Sequence, residues 1–577
     1  MSPGAARPRE GLDWTAKLVL GAGAAFALYL IVVPLGMLLF TAFRGPADAL
    51  PFEPQARWTL EHVRNFYSDP ILYQRIIPDT LIFAAGTVAL TFTTAFTLAW
   101  LVERTDLPGR DAWFPLILFP LLLPSPVLAV AWIFLAGPNA GWVNLLLRDW
   151  FGLAGSGPID IFSMSGLIVC QSLASTPFVF LLLTATLRSM NPAYEEASAA
   201  SGASPATTFR RVTLPVLLPG VLAPLILVLL ITLEQFDLPL MIGLPAKVVV
   251  FSYRILFDLN PADSLPNYGG AAAVALPFLA LGIMLLFVYN RLIRRAESFV
   301  TVTGKAYRQR RLALGRWRLP ALVFAGLYVA AAAVAPALIL LWTSFFGYAV
   351  PSAQSLEKFS FDAYRALLDE PAFWKGLVNT FLVAGLSALI VTTIGALLAW
   401  IIVRTRFWGR HVLDFMSFMS VGIPSVIAGL GVMLLYLSLP IGIYGTVWIL
   451  ILAYSYRIAV TTRIARAALM QLHRELEEAS SASGARWLAT QRRIVVPLLM
   501  PALASGFIFL FIVGVREFTI ALVLFSQENV VLSVVLWRLF QSGQAAQSAA
   551  LASIIIALVL PVVLIARRYL VPRGLAD

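Results

Sequence analysis

Charge is scarce in this chain. Of 577 residues only 12% are Asp, Glu, Lys or Arg, 60% are hydrophobic, and mean hydropathy is +0.85. That is about half the charged fraction of an ordinary soluble domain, which excludes a soluble globular protein and leaves a polytopic membrane protein. The single cysteine, Cys170, excludes an intrachain disulfide or a thiolate metal cluster, and its place in an apolar run makes it a small core residue. The three histidines, His62, His411 and His473, fall in or near loops without ligand spacing, so no metal site and no catalytic base is assigned. A Walker-type loop is missing as well. Gly304-Lys305 is followed by Ala306 and lacks the upstream glycine pattern, so driving energy has to come from another chain or from an ion gradient. The net charge of +12 sits in clusters beside apolar runs, where it reports orientation and contact with anionic headgroups rather than nucleic acid.

Crossing about 30 Å of hydrocarbon takes roughly 20 apolar residues. Such runs fall at about 18–43, 81–102, 113–136, 163–187, 214–243 and 268–290, and again at about 319–345, 380–402, 413–438, 443–468, 496–525 and 548–570. Arg7, Arg9 and Lys17 precede the first run, which is too long for a signal-peptide core and lacks a small-residue cleavage site, so it is read as a retained span. Arg104 and Arg110, the stretch 189–213, the basic residues from Arg291 to Arg318, then Arg404, Arg406 and Arg410, and finally Arg567, Arg568 and Arg573 all fall on one side. The positive-inside rule makes that side the cytoplasm and places both termini there.

The second half restates the first. Leu98-Ala99-Trp100, Arg104-Thr105, Gly109-Arg110 and Pro124-Ser125 recur 300 positions later as Leu398-Ala399-Trp400, Arg404-Thr405, Gly409-Arg410 and Pro424-Ser425. From Glu196 onward the offset is 282, so the first half holds 18 extra residues, placed in the external loop around Gly137 to Gly157. At that offset Glu196-Ala197-Ser198, Gly202, Arg210-Arg211 and Val212-Thr213-Leu214-Pro215 match Glu478-Ala479-Ser480, Gly484, Arg492-Arg493 and Ile494-Val495-Val496-Pro497 without a gap. Each copy reads as a short helix of small residues, a glycine in the left-handed region that ends it, and a proline in the first turn of the next span. The expected fold is all-α and polytopic: about twelve transmembrane helices as two parallel six-helix repeats, with a path between the halves. Residues 1–293 form the first six-span domain, 294–318 a basic cytoplasmic linker, and 319–577 the second six-span domain. Two like loops on one face imply a twofold-symmetric cytoplasmic partner.

At these residues the chain resembles the membrane subunits of ATP-binding-cassette (ABC) importers, whose signature loop reads Glu-Ala-Ala, three residues, Gly, nine residues, Ile-x-Leu-Pro. Ser198 and Ser480 stand where the commonest pattern has its second Ala, Val212 replaces Ile, and Val496 replaces Leu. The resemblance covers essentially the whole chain and is closest in kind to the fused double permeases of the ferric-iron, polyamine and thiamine branch. Thr301-Val302-Thr303-Gly304-Lys305 with Arg308, and Leu314-Gly315-Arg316-Trp317, resemble the mid-chain linker of iron-type members. What the resemblance implies is the type I importer membrane-domain fold in a bacterial inner membrane, without enzymatic activity or cofactor of its own. ATP and Mg would be held by two copies of a cytoplasmic ABC ATPase, and solute would be delivered by a periplasmic or extracellular binding protein. Glu196, Ala197, Gly202, Pro215, Glu478, Ala479, Gly484 and Pro497 would form the coupling loops seated on the ATPase. Ferric iron leads as substrate, with polyamine, thiamine or phosphonate as alternatives. An ion-gradient secondary transporter of the six-plus-six kind shares the parallel repeat but leaves the loops without a purpose.

Five charged residues in or beside the runs are candidates for a path or gate: Glu234 and Asp237 near the end of the fifth, Arg457 in the tenth, and Arg516 and Glu517 at the matching end of the eleventh. Glu234 lies about 28 Å along a helix from Pro215 and Glu517 about 30 Å from Pro497, toward the external mouth. Charges in such places face a path or a partner, or else reach for headgroups; oxygen ligands there suit a hard cation. Pro124, Pro126, Pro177 and Pro424 are expected to kink their spans.

Overall fold

A chain in hydrocarbon has to satisfy its backbone N–H and C=O groups internally, so apolar runs of this length become helices. The computed structural model describes residues 13–46, 50–191, 193–260, 266–297, 312–347 and 354–570. Among these residues the only regular strands are the two-residue pair Arg44–Gly45 and Arg57–Trp58. Among the described residues eight helices are long and apolar enough to cross a membrane, and with each of four pairs bent at a short break taken as one span the number is twelve. In chain order, spans 1 to 6 are Trp14–Ala42, Leu72–Arg104, Arg110–Leu121 with Ser125–Ala136, Met164–Arg188, Ala206–Leu218 with Gly220–Glu234, and Tyr268–Leu292. Spans 7 to 12 are Gly315–Phe346, Pro371–Arg404, Arg410–Gly422 with Ser425–Ser438, Val447–Tyr454 with Ala459–Gln471, Trp487–Arg516 and Ala545–Val562. The outward side chains are apolar, as lipid requires: Leu319, Leu327 and Leu338 are all exposed.

Three expectations are corrected. The runs at 113–136 and 413–438 are not single rods, because their two helices meet at 98° and 109°. Pro124 and Pro424 cause the breaks: each has an extended backbone with ψ near 142° and 141°, each forces the preceding residue out of helix, and a new helix starts at Ser125 and Ser425. Spans 5 and 11 stop at Glu234 and Arg516 rather than near 243 and 525, since Gln235 and Glu517 turn to extended backbone. The run at 443–468 is split after Tyr454 by a 50° bend. Pro126 sits harmlessly in a first helical turn, and Pro177 lies inside the continuous helix Met164–Ser189. Of the linker expected at 294–318, residues 298–311 lie outside the described residues; the span 6 helix itself runs to Glu297.

The extra residues of the first half form a loop with its own helix, Trp142–Phe151, between residues 137 and 163, where the second half has only residues 439–446. Buried Asn144 holds it together, donating to the carbonyls of Gly137 and Ile159 at 2.9 and 2.6 Å and accepting the Ile159 N–H at 2.9 Å. Cys170 is fully buried in span 4, as a core residue should be.

The two halves exchange their first spans. Span 1 packs on the second half, where the hydroxyls of Tyr29 and Tyr436 lie 2.6 Å apart. Span 7 packs on the first half: Ala321, Ala325, Tyr328 and Val329 share a core with Leu98, Phe180 and Leu217, and Tyr328 donates to the Leu173 carbonyl at 3.4 Å. Behind the exchange, span 6 crosses the break of span 9 almost in backbone contact. A Cβ on Gly282 would collide with the Gly422 carbonyl oxygen, and one on Gly422 would lie 3.1 Å from the Gly282 carbonyl oxygen. Gly282→Val should therefore cost ~1–3 kcal/mol by forcing the halves apart. Thermal unfolding in detergent checks this, with lipid-facing Leu327→Ala as a control expected within about 0.5 kcal/mol of wild type.

Candidate functional site

The repeated loops fold alike. Ala193–Ala200 and Glu475–Ala482 are helices of eight residues, set 282 positions apart at both ends, with acidic first turns suited to the positive end of a helix. Each closes with a pair of reversed hydrogen bonds: the N–H groups of Gly202 and Ala203 donate to the carbonyls of Ala199 and Ser198 at 3.0 and 3.2 Å, and those of Gly484 and Ala485 to Ser481 and Ser480 at 2.9 and 3.1 Å. That closure needs positive φ, met by Gly202 at +78° and Gly484 at +81°, while the space around both is open. The departure from Ala to Ser has a structural role in both copies: Ser198 and Thr208 share a hydroxyl hydrogen bond of 2.8 Å, and so do Ser480 and Thr490. A wide turn follows, with the N–H of Leu214 and Val496 reaching the carbonyls of Phe209 and Gln491, and Pro215 and Pro497 then sit in the first turn of the span. Glu196, Ala197, Glu478 and Ala479 face outward and are exposed. Their neighbours Glu195 and Glu477 turn inward, a difference that adjacency in sequence did not signal. Beside the second loop, Asp13 caps span 1 and accepts the Trp487 N–H at 3.2 Å; the Ala16 amide holds its carboxyl below the ordinary value.

The five charged candidates converge at the boundary between the halves. At the 282 offset Glu234-Gln235-Phe236-Asp237 matches Arg516-Glu517-Phe518-Thr519, and two of the matched pairs meet across the boundary. The Phe236 and Phe518 rings stack at 6.5 Å, and the Thr519 hydroxyl donates to Asp237 Oδ1 at 2.6 Å. A pseudo-twofold axis runs through these pairs. On either side of it, each half reaches into the proline break of the other. Glu234 Oε1 accepts the N–H and the hydroxyl of Ser425 at 2.9 and 2.6 Å, and Arg516 donates from Nε and Nη2 to the Leu123 carbonyl at 3.2 and 2.9 Å. An acid meets a helix start and a cation meets a carbonyl left by a helix end, the arrangement that the partial charges of helix termini favour. Arg457, in the break of span 10, donates to the Ser425 hydroxyl at 2.8 Å and pairs with Glu517, which also accepts the Ile520 N–H at 3.0 Å.

A cavity of about 200 Å³ opens among Ser125, Glu234, Asp237, Ser425, Arg516 and Glu517. The candidates therefore face one another across the halves, not lipid headgroups. Among the described residues no group of three or more His, Cys, Asp or Glu is placed to hold a metal ion. Glu234 is engaged by Ser425, Glu517 by Arg457 and Asp237 by Thr519.

Two parallel six-span repeats, exchanged first spans and a polar cluster on the axis between them define a membrane permease of fused, two-domain build. Residues 95–298 and 391–574 each match the family described as binding-protein-dependent transport system inner membrane component, so the chain belongs to that family and is a fused double-domain ABC permease. The ferric transport system permease protein FbpB of Actinobacillus pleuropneumoniae is 27% identical over 495 residues, covering 85% of this chain and 70% of that protein. A putative ferric transport system permease protein, FbpB 1, of Haemophilus influenzae is 28% identical over 76% of this chain and 68% of its own length. The sulfate transport system permease protein CysT of Salmonella typhimurium is 30% identical over 37% of this chain and 74% of its own length.

Removing one member of a buried ion pair leaves the other uncompensated. Glu517→Ala should accordingly lower unfolding free energy by ~3 kcal/mol through stranded Arg457, whereas Arg457→Met with Glu517→Leu should recover most of that loss. Denaturant unfolding in detergent reads both.

Proposed function

We propose that this chain forms the whole membrane pathway of an ATP-driven importer for ferric iron, with both termini in the cytoplasm of a bacterial cell. The carrying observation is the pair of exposed loops with the same helix, closure and hydroxyl bond, together with ferric permease relatives that align across both halves. Each loop seats one copy of a cytoplasmic ATPase, which holds ATP and Mg, and an external binding protein delivers iron on the opposite face. Membership of this family removes the secondary-transporter alternative.

Glu234, Asp237, Arg457, Arg516 and Glu517 act as a gate on the axis rather than as a resident metal site. While the halves are latched, protein donors occupy the carboxylates. Parting the halves frees those oxygens, and hard oxygen donors along the opened path suit a hard trivalent cation. The acids outnumber the arginines in the cluster, which favours a cation over an oxyanion.

The test is ATP hydrolysis in proteoliposomes that contain this chain, its ATPase and its binding protein loaded with ferric iron, sulfate or a polyamine. Ferric-loaded binding protein alone should stimulate hydrolysis and uptake. Gly202→Asp with Gly484→Asp strains only backbone and the outer surface, so the chain should still fold while ATPase association and stimulated hydrolysis fall by about tenfold or more. Stimulation by sulfate-loaded or polyamine-loaded protein instead would replace the substrate, and a wild-type chain that never binds the ATPase would end the proposal.

A further inference from the structure

Where span 2 ends beside the first loop, the Arg104 side chain is 2% exposed and joins three elements. Its Nη1 donates to Glu195 Oε2 at 3.1 Å, in the first turn of the loop helix, and its Nη2 donates to the Leu187 carbonyl at 3.0 Å, in the last turn of span 4. The second half repeats the contact. Arg404, closing span 8, donates from Nε to Glu477 Oε1 at 2.7 Å and from Nη2 to the carbonyls of Leu469 and Leu472 at 3.2 and 2.8 Å. Arg404 is the 300-offset counterpart of Arg104, and Glu477 and Leu469 are the 282-offset counterparts of Glu195 and Leu187. A planar guanidinium fork can serve a carboxylate and a last-turn carbonyl together, which a lysine ammonium does less well. Both pairs are largely shielded, with Glu195 25%, Glu477 16% and Arg404 11% exposed, so the Coulomb attraction is less screened than at the surface.

From the clasp, span 8 runs as a continuous helix to the axis. Ser387, Ala388 and Val391 of that span line a small cavity with Tyr454 and Arg457, about 20 to 26 Å from Arg404 along the helix. We infer that Arg104–Glu195 and Arg404–Glu477 are positioning clasps that pass the displacement of each loop helix to span 2 and span 8, and so toward the cluster between the halves. This rests on the loops being ATPase seats. The two clasps pull differently. The other oxygen of Glu195 accepts the Thr213 hydroxyl at 2.9 Å, at the foot of span 5, and the counterpart of Thr213 is Val495. The other oxygen of Glu477 accepts Trp400 Nε1–H at 3.2 Å, from span 8 again. Loop one moves spans 2 and 5 together, and loop two moves span 8.

The experiment uses the complete transporter in proteoliposomes and reads three quantities for each variant: co-purification of the ATPase, melting temperature, and solute taken up per ATP hydrolysed. Glu195→Ala and Glu477→Ala should each leave association and hydrolysis within about twofold of wild type while uptake per ATP falls by about tenfold, within the range of ordinary coupling between sites. Glu195→Gln and Glu477→Gln, which keep shape and one acceptor, should lose less. For Arg404→Cys with Glu477→Cys, a short bifunctional thiol reagent should restore uptake per ATP and a monofunctional one should not. Thr213→Val should reproduce a smaller part of the Glu195 defect. Unchanged uptake per ATP, or a loss that merely tracks lost association or melting temperature, overturns the clasps while leaving the ATPase seats standing. A wild-type chain that fails to bind the ATPase overturns the seats, and the clasps with them.

Discussion

Hydrocarbon tolerates no unpaired backbone polar group, and spans 3 and 9 are broken in mid-course at Pro124 and Pro424. Each break exposes a carbonyl end and a helix start that a straight span would have hidden. The structure answers by sending a charged side chain from the opposite half into each break, Glu234 to the start at Ser425 and Arg516 to the Leu123 carbonyl. The latch between halves is thus a consequence of backbone accounting. Neither half can complete its own broken span, and any separation of the two has to re-satisfy those groups with water or with cargo.

The exchange of first spans supports the same dependence at larger scale. Span 1 lies on the second half and span 7 on the first, so the core containing spans 2 to 5 is finished by residues from beyond the linker. The exchange interlocks the halves, so that neither can leave the other without unpacking a span. Each half also carries its own loop helix of matched geometry.

Much of this was legible in the residues. Hydropathy gave the number of crossings, and the gapless 282-residue repeat gave the loops, their glycine closures and the proline restarts. What sequence could not supply was direction of approach. Nothing in a list of apolar residues says that span 1 prefers the other half, since lipid and protein are equally apolar to a leucine. Pro124 and Pro424 announced a disturbance, but a bend near 100° depends on having Arg516 and Glu234 at hand to make it affordable. The distinction between inward Glu195 and outward Glu196 needed the helix phase and the position of Arg104. At Ser198 and Ser480 the sequence shows only a departure from Ala; the reason lies in their hydroxyl partners Thr208 and Thr490, ten residues on.

The pairs on the axis have a bearing on why such a protein is one chain. In a dimer of identical subunits, residues on a twofold axis meet their own copies: a glutamate at 234 would be mirrored by a glutamate at 516, and an aspartate at 237 would confront another aspartate. Here Glu234 is matched by Arg516 and Asp237 is met by Thr519. Joining the repeats in tandem lets the two faces of the axis drift to opposite chemistries, and the boundary between the halves becomes polarised from side to side, a property closed to any strictly symmetric dimer.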